Sequence, residues 1–272
     1  MLYNCIVIIL SSIIEGITEW LPVSSTGHML LFDKFMPMKM SESFKEAYFI
    51  LVQLAAVIAV IVIKRKQIMP ICKIGGKISV RSEVVSAWIK VCVACLPGAV
   101  LIMLAGDAID AYLNTPFVIS VALIFYGVVF IFLERLSNTY AVKMTSISQL
   151  TYKKVFLIGL FQALSAVPGT SRSGASVVGG MCVGADRNTS SEFAFFMAIP
   201  VMAGMSVLKL IEIRFRFSMQ EISALLLGMT VSFVVSLFVV KFLTEFVKKH
   251  TFLPFGIYRI LLGIAVLIAT QN

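Results

Sequence analysis

Six stretches of this sequence, about 47–63, 84–105, 116–133, 192–212, 220–241 and 253–270, are apolar over the length of a membrane's hydrocarbon core. A helix needs roughly 17–25 such residues to cross. Within lipid every backbone N–H and C=O must be paired inside the protein, so only helices or closed barrels span it. Runs of this length read as spanning helices. Of the 272 residues, 59% are hydrophobic and 14% charged, where a soluble domain has about 45–50% and 25%. The expectation is a single all-α polytopic membrane domain over 1–272, with no room for a sizeable soluble part.

Two further apolar stretches, about 2–36 and 152–184, are interrupted midway by "LPVSSTGHM" and "VPGTSRSGAS". A broken helix at membrane depth is tolerated where protein or water satisfies the freed backbone. Each stretch is expected to form a re-entrant helix–loop–helix hairpin that returns to its own side. With the N-terminus outside, the inner segments 64–83, 134–154, 185–191 and 242–252 carry thirteen Lys and Arg. The outer segments carry five: Lys34, Lys39, Lys45, Arg214 and Arg216. This bias follows the positive-inside rule and puts both termini outside. A cleaved signal peptide is not expected, because no basic residues precede the first apolar run and that run leads straight into "EGITEW".

The interruptions repeat. Pro22 precedes "VSSTG" and Pro168 precedes "GTSRSG", 146 residues on; "KEAYFILV" and "SEFAFFMA" pair Glu46 with Glu192 at the same offset. Each half, approximately 1–134 and 135–272, holds one hairpin and three spans. Three is odd, so the halves are expected to be inverted. Inverted repeats place their site where broken helices meet near the bilayer midplane.

A net charge of +9 admits nucleic acid as a partner, but the basic residues lie in short loops between spans, so none is expected. The five cysteines are scattered; Cys92 and Cys95 form a CxxC inside a spanning run without partner ligands, which reads as packing. There is no Walker A loop, GxGxxG, HExxH or GxSxG, and "GGKIS" at 75–79 lacks the earlier glycine of a P-loop. His250, beside Lys248 and Lys249, reads as a solvated interfacial residue.

The chemistry concentrates in the interruptions. Glu15 and Glu19 are four apart and project from one helix face. Two carboxylates in a bilayer need a cation or proton between them, or exposure to water. Mg²⁺ or Ca²⁺ suits such a pair, leaving other positions to water and substrate phosphate. Ser24, Ser25 and Thr26 follow Pro22, and Gly27 permits a tight turn into a helix whose free N–H groups would seat phosphate; ordinary N-capping is the competing role. His28 is placed to act as general base, general acid or nucleophile. Arg172, among Thr170, Ser171 and Ser173, offers a planar fork for phosphate oxygens, or a structural ion pair with Glu15 or Glu19.

"EGITEWLPVSSTGH" and "PGTSRSG", with "SEFAFFMAIP" and "FLPFGIYR" downstream, resemble the undecaprenyl-diphosphatase family, the bacitracin-resistance proteins, over essentially the whole chain. The resemblance implies a bacterial inner-membrane phosphatase opening to the outer face. It would convert undecaprenyl diphosphate to undecaprenyl phosphate and inorganic phosphate, recycling the carrier for peptidoglycan. By motif it places the family's acidic pair on Glu15 and Glu19, its serine and histidine on Ser25 and His28, and its arginine on Arg172, flanked by Ser171 and Ser173. Thr170 stands at a position the family fills variably. A polyprenyl diphosphate and membrane lipid are the implied partners, and a homodimer is left open. The rival reading is a carrier or flippase for a phosphorylated lipid, which the inverted repeat alone favours.

Overall fold

In a computed structural model, residues 2–74, 77–137, 144–213 and 217–270 are described. Lys143, Arg214 and Arg216 of the charge count, and Gly75 and Gly76 of "GGKIS", lie outside them.

Ten α-helices follow in chain order among the described residues: α1 (Leu2–Thr18), α2 (Ser25–Phe35), α3 (Glu42–Ile68), α4 (Ser82–Leu113), α5 (Pro116–Ser137), α6 (Tyr152–Ala163), α7 (Arg172–Cys182), α8 (Arg187–Glu212), α9 (Met219–Lys249) and α10 (Leu253–Thr270). Their starts are written locally. The Ser41 hydroxyl accepts from Phe44 N–H at 3.3 Å before α3, and Asp186 from Thr189 N–H at 2.6 Å before α8. Ser218 and Glu221 form a reciprocal capping box before α9. Such caps satisfy amide donors that the first helical turn leaves free.

Six of these helices, α3, α4, α5, α8, α9 and α10, are long and apolar enough to cross a membrane, as the six runs predict. Most extend beyond their apolar runs, α4 and α9 furthest at the C-terminal end. α4 continues through "AGDAIDAYL" to Leu113 and α9 to Lys249, because helical pairing does not stop where hydropathy falls. By contrast α2 and α7 have 11 residues and α6 has 12. At 1.5 Å per residue these reach about 16–18 Å, too short for a core of about 30 Å. The segment after α3 holds an unexpected antiparallel pair, β1 (Ile71–Ile74) with β2 (Lys77–Val80), in register Ile71 to Val80.

Part of the packing maps onto itself when the first five helices exchange with the last five, although α7 packs closely on α8 and α2 makes no comparable contact with α3. α1 packs on α9 as α6 packs on α4, α2 on α10 as α7 on α5, and α5 and α10 pack on each other. The last pair meets through Gly127 and Gly256: a Cβ on Gly127 would stand 2.7 Å from the Gly256 carbonyl oxygen. Small residues of this kind let helix backbones approach closely in lipid.

α3 and α8 lie antiparallel at the centre, tied at both ends by related ion pairs. Lys64 meets Glu192 at 3.6 Å and Lys209 meets Glu46 at 3.0 Å. The two glutamates that carry the sequence repeat thus each take a lysine from the opposite half. His250, the C-cap of α9, is exposed and stacked on Phe246, and the five cysteines are free.

Candidate active site

Both interruptions become tight turns between short helices. After α1, Glu19 N–H still donates to the Glu15 carbonyl at 2.9 Å, and Val23 N–H closes on Leu21 at 2.7 Å. The chain then enters α2 through Ser24 at φ 71°, ψ 104°. After α6 and a 3₁₀ turn at Leu164–Ala166, Gly169 takes φ 91° and Ser171 φ 68°, ψ 117°, before α7. Ser24 and Ser171 are the only non-glycine residues with positive φ among the described residues. Because α2 begins at Ser25 and α7 at Arg172, the loops are related by 147 residues rather than the 146 that relate their prolines. Arg172 therefore occupies the place in the second half that Ser25 has in the first.

The two loops face each other across one chain of polar contacts. Arg172 donates to the Gln53 side-chain oxygen on α3 at 2.9 Å, and its Nη2 lies 3.6 Å from Glu19 Oε1. The other Glu19 oxygen accepts from the Ser25 hydroxyl at 2.9 Å. Ser173 Oγ donates across to the Glu19 carbonyl at 3.2 Å. Glu19, 7% exposed, is thus shared between a hydroxyl and a guanidinium. Between them is a cavity of about 70 Å³, lined by Glu19, Ser24, Ser25, Thr26, Ser171 and Arg172, and walled further by Gln53 and Gly169. With a water occupying about 30 Å³ in the liquid, the space suits an anion of phosphoryl size or about two waters.

Other expected residues lie beside this cavity. His28 Nδ1 contacts the Ser24 carbonyl at 2.7 Å; a carbonyl only accepts, so Nδ1 carries the proton. His28 Nε2 meets the Tyr258 hydroxyl at 2.7 Å, with the two rings stacked. His28 does not engage the Ser25 hydroxyl, which turns to Glu19. Ser173 ties the loops together through backbone carbonyls, and Thr170 is buried with its carbonyl bound to Arg259.

Gly27 was expected to permit the turn, but the turn is made by Ser24. Gly27 is in the first turn of α2, where a Cβ would come 2.8 Å from the Leu123 side chain of α5. Its smallness serves packing. The N-capping alternative divides between the loops: Ser171 Oγ accepts from Gly174 N–H at 3.2 Å, whereas the Ser24 side chain caps nothing.

Gln53, Tyr258 and Arg259 belong to this arrangement and were not singled out in the sequence. Gln53 is one polar residue inside "ILVQLAAV", and Arg259 one charge inside the last span. A lone polar or charged residue within a spanning run is the signal that would have found both.

For a divalent cation, the relevant observation is Glu15: it is 2% exposed and its Oε1 has no hydrogen-bond partner among the described residues. An orphaned carboxylate oxygen, one helical turn from a second carboxylate, is a hard-oxygen donor set that fits Mg²⁺ or Ca²⁺. Among the described residues no group of three or more His, Cys, Asp or Glu gathers, so water and phosphate oxygens would complete the shell.

Fold and site together define a polytopic α-helical membrane protein whose two halves each contribute a loop to one polar, arginine-containing cavity. The family model described as bacitracin resistance protein BacA matches residues 8–265, and the chain belongs to that family. It is 46% identical over 264 residues to an undecaprenyl-diphosphatase of Enterococcus faecalis, covering 97% of this chain and 96% of that one. The protein of that name from Desulfitobacterium hafniense is 44% identical, with 96% and 94% covered. Undecaprenyl-diphosphatase 1 of Clostridioides difficile is 42% identical, with 95% and 93% covered.

Proposed function

We propose that this protein is a membrane phosphatase that hydrolyses undecaprenyl diphosphate to undecaprenyl phosphate and inorganic phosphate, and that this recycling of the carrier confers bacitracin resistance. The observation that carries the reading is the chain Ser25–Glu19–Arg172–Gln53 around a polar cavity of about 70 Å³. The names of relatives at 42–46% identity over nearly the whole chain support the same substrate.

The two loops are read as re-entrant hairpins meeting near the midplane, with the cavity opening to the outer face of the bacterial inner membrane. The shortness of α2, α6 and α7 and the distribution of Lys and Arg support this. The isoprenoid tail stays in lipid between spans while the diphosphate enters the cavity.

Arg172 binds phosphate oxygens and stabilises the charge that develops on the transferred phosphoryl group. Ser25 Oγ bonds to the terminal phosphorus as the bond from that phosphorus to the bridging oxygen breaks. The serine proton passes to Glu19 Oε2, to which the hydroxyl already donates. Undecaprenyl phosphate departs on the bridging oxygen, and water then hydrolyses the phosphoserine to release phosphate and restore Ser25. Attack by water with Glu19 as base gives the same products without a covalent stage. His28, held by Ser24 and Tyr258, orients the first loop in the resting state and becomes a base only on leaving Tyr258. A cation held by Glu15 and Glu19 would supply charge neutralisation of the diphosphate. Phosphoryl transfer asks chiefly for such positioning and electrostatics.

The test is phosphate release from a polyprenyl diphosphate by purified protein in detergent, where no gradient exists. Release supports the phosphatase; a pure carrier releases none. Ser25→Ala, His28→Ala and Arg172→Ala compared in the same assay decide the residue assignment, which fails if all three keep near wild-type rates.

A further inference from the structure

Arg259, in the second turn of α10, is 0% exposed. No carboxylate lies within ion-pair distance of it among the described residues. Its guanidinium instead donates to three backbone carbonyls: Pro22 at 3.3 Å, Gly169 at 2.9 Å and Thr170 at 3.0 Å. It also lies over the Tyr126 ring at 5.6 Å. A buried cation without an acid is a costly arrangement, and here all its hydrogen bonds go to the two loops that bound the cavity.

Those bonds fix a direction. A trans peptide is planar, so its C=O and N–H point to opposite sides. With the Thr170 carbonyl held towards Arg259, the Ser171 N–H of the same peptide points away from it. Ser171 and Gly169 line the cavity and Arg259 does not. Among the described residues the Ser171 N–H finds no acceptor, whereas the Thr170 N–H is spent on Val167 at 3.2 Å.

The positive φ of Ser171, 68°, marks the same restraint. Turning over the Thr170–Ser171 peptide would return that φ to the ordinary negative region. Such strain persists only where surroundings over-determine it.

We propose that Arg259 is a positioning residue for the phosphate seat: by gripping the Gly169 and Thr170 carbonyls it keeps the Ser171 N–H turned into the cavity beside Arg172. Without Arg259 the peptide relaxes and presents carbonyl oxygen to the phosphate in place of N–H. The inference rests on the phosphatase reading for its substrate but not for its test.

Calorimetric titration of inorganic phosphate into full-length protein in detergent requires no turnover. Arg259→Met, whose stem fills the same space, is expected to weaken phosphate binding tenfold or more. It should raise KM for polyprenyl diphosphate in parallel and change kcat less. Arg259→Lys keeps the charge but not the fork and falls between, at threefold or more. A merely structural role would lower thermal stability and leave phosphate affinity and KM where they were. The proposal is overturned if wild-type protein binds no phosphate, or if folded Arg259→Met binds it within threefold of wild type. Should Arg259→Met not fold, Arg259→Lys decides on the same threefold threshold. Phosphate binding that depends on Arg259, without release of phosphate from polyprenyl diphosphate, would overturn the phosphatase reading alone.

Discussion

Ser24 and Ser171 share a backbone conformation that L residues rarely adopt, φ 71° and 68°, and each stands immediately before the helix that closes its loop. A residue in such a region carries about 1–3 kcal/mol of strain. Its recurrence at equivalent places in the two halves marks both loops as restrained by what surrounds them.

The two serines are nevertheless not equivalent in stability. Ser171 Oγ caps α7 by accepting from Gly174 N–H, and Ser24 makes no such bond. Loss of a serine cap to alanine destabilises by about 1 kcal/mol. Ser171→Ala is therefore expected to lower stability in detergent by about that amount, and Ser24→Ala by less than half of it. Equal shifts in thermal unfolding would mean that the Ser171 cap contributes nothing.

The ion pairs between α3 and α8 are related by the repeat but unequal in their surroundings. Lys64 is 5% exposed and has Glu192 as its partner, whereas Lys209 is shared between Glu46 at 3.0 Å and Glu212 at 2.9 Å. Removing one member of a buried pair leaves an uncompensated charge, at about 3–5 kcal/mol. Glu192→Gln should approach the low end of that range, since Glu192 is partly exposed, and Glu46→Gln should be nearly neutral because Glu212 remains. Thermal unfolding of the two variants side by side tests this; a larger loss for Glu46→Gln reverses the argument.

Much of this was legible in the sequence because apolar length and polar interruption are local properties. The six spans, both interruptions, and the candidacy of Glu19, Ser25 and Arg172 all follow from stretches that can be read one at a time. The partners that complete the site are not local. Arg259 reaches the carbonyls of Pro22, Gly169 and Thr170 from 237, 90 and 89 residues away, and backbone carbonyls leave no trace in side-chain chemistry. Ser25 and His28 are three residues apart and both candidates for the chemistry, yet they do not pair. They lie on one helix, α2, whose opposite neighbours claim them separately: Glu19 takes Ser25 and Tyr258 takes His28. Gly27 misled for a related reason, since its role is set by Leu123 on a distant helix.

Gln53 is expected to matter for activity although it is neutral. It accepts from Arg172 at 2.9 Å, which fixes the guanidinium beside Glu19 without adding a charge that would compete with phosphate. Hydrogen bonds to charged groups contribute about 1.5–3 kcal/mol, so Gln53→Leu should reduce kcat/KM by at least about tenfold. Gln53→Glu should be worse, because a second carboxylate on Arg172 draws it away from the substrate. Steady-state rates on a polyprenyl diphosphate check both, and Gln53→Glu matching wild type would remove Gln53 from the arrangement.

Glu15 provides the test of a divalent cation. Its Oε1 is buried and, among the described residues, unpartnered, while Glu19 is already engaged by Ser25 and Arg172. If the two carboxylates hold a cation, Glu15 is the member with free donor capacity and its neutralisation should be felt in metal affinity before anything else. Glu15→Gln keeps the shape and hydrogen-bonding capacity but withdraws one charge from a hard-cation ligand set. The expectation is that chelation abolishes wild-type activity and Mg²⁺ restores it. In Glu15→Gln the Mg²⁺ concentration for half-maximal rate should rise by about an order of magnitude, the effect of about 1.4 kcal/mol, while the maximal rate at saturating Mg²⁺ recovers in part. A variant with an unchanged Mg²⁺ requirement and a lowered maximal rate would place Glu15 in the proton chemistry of Glu19 and not in a metal shell.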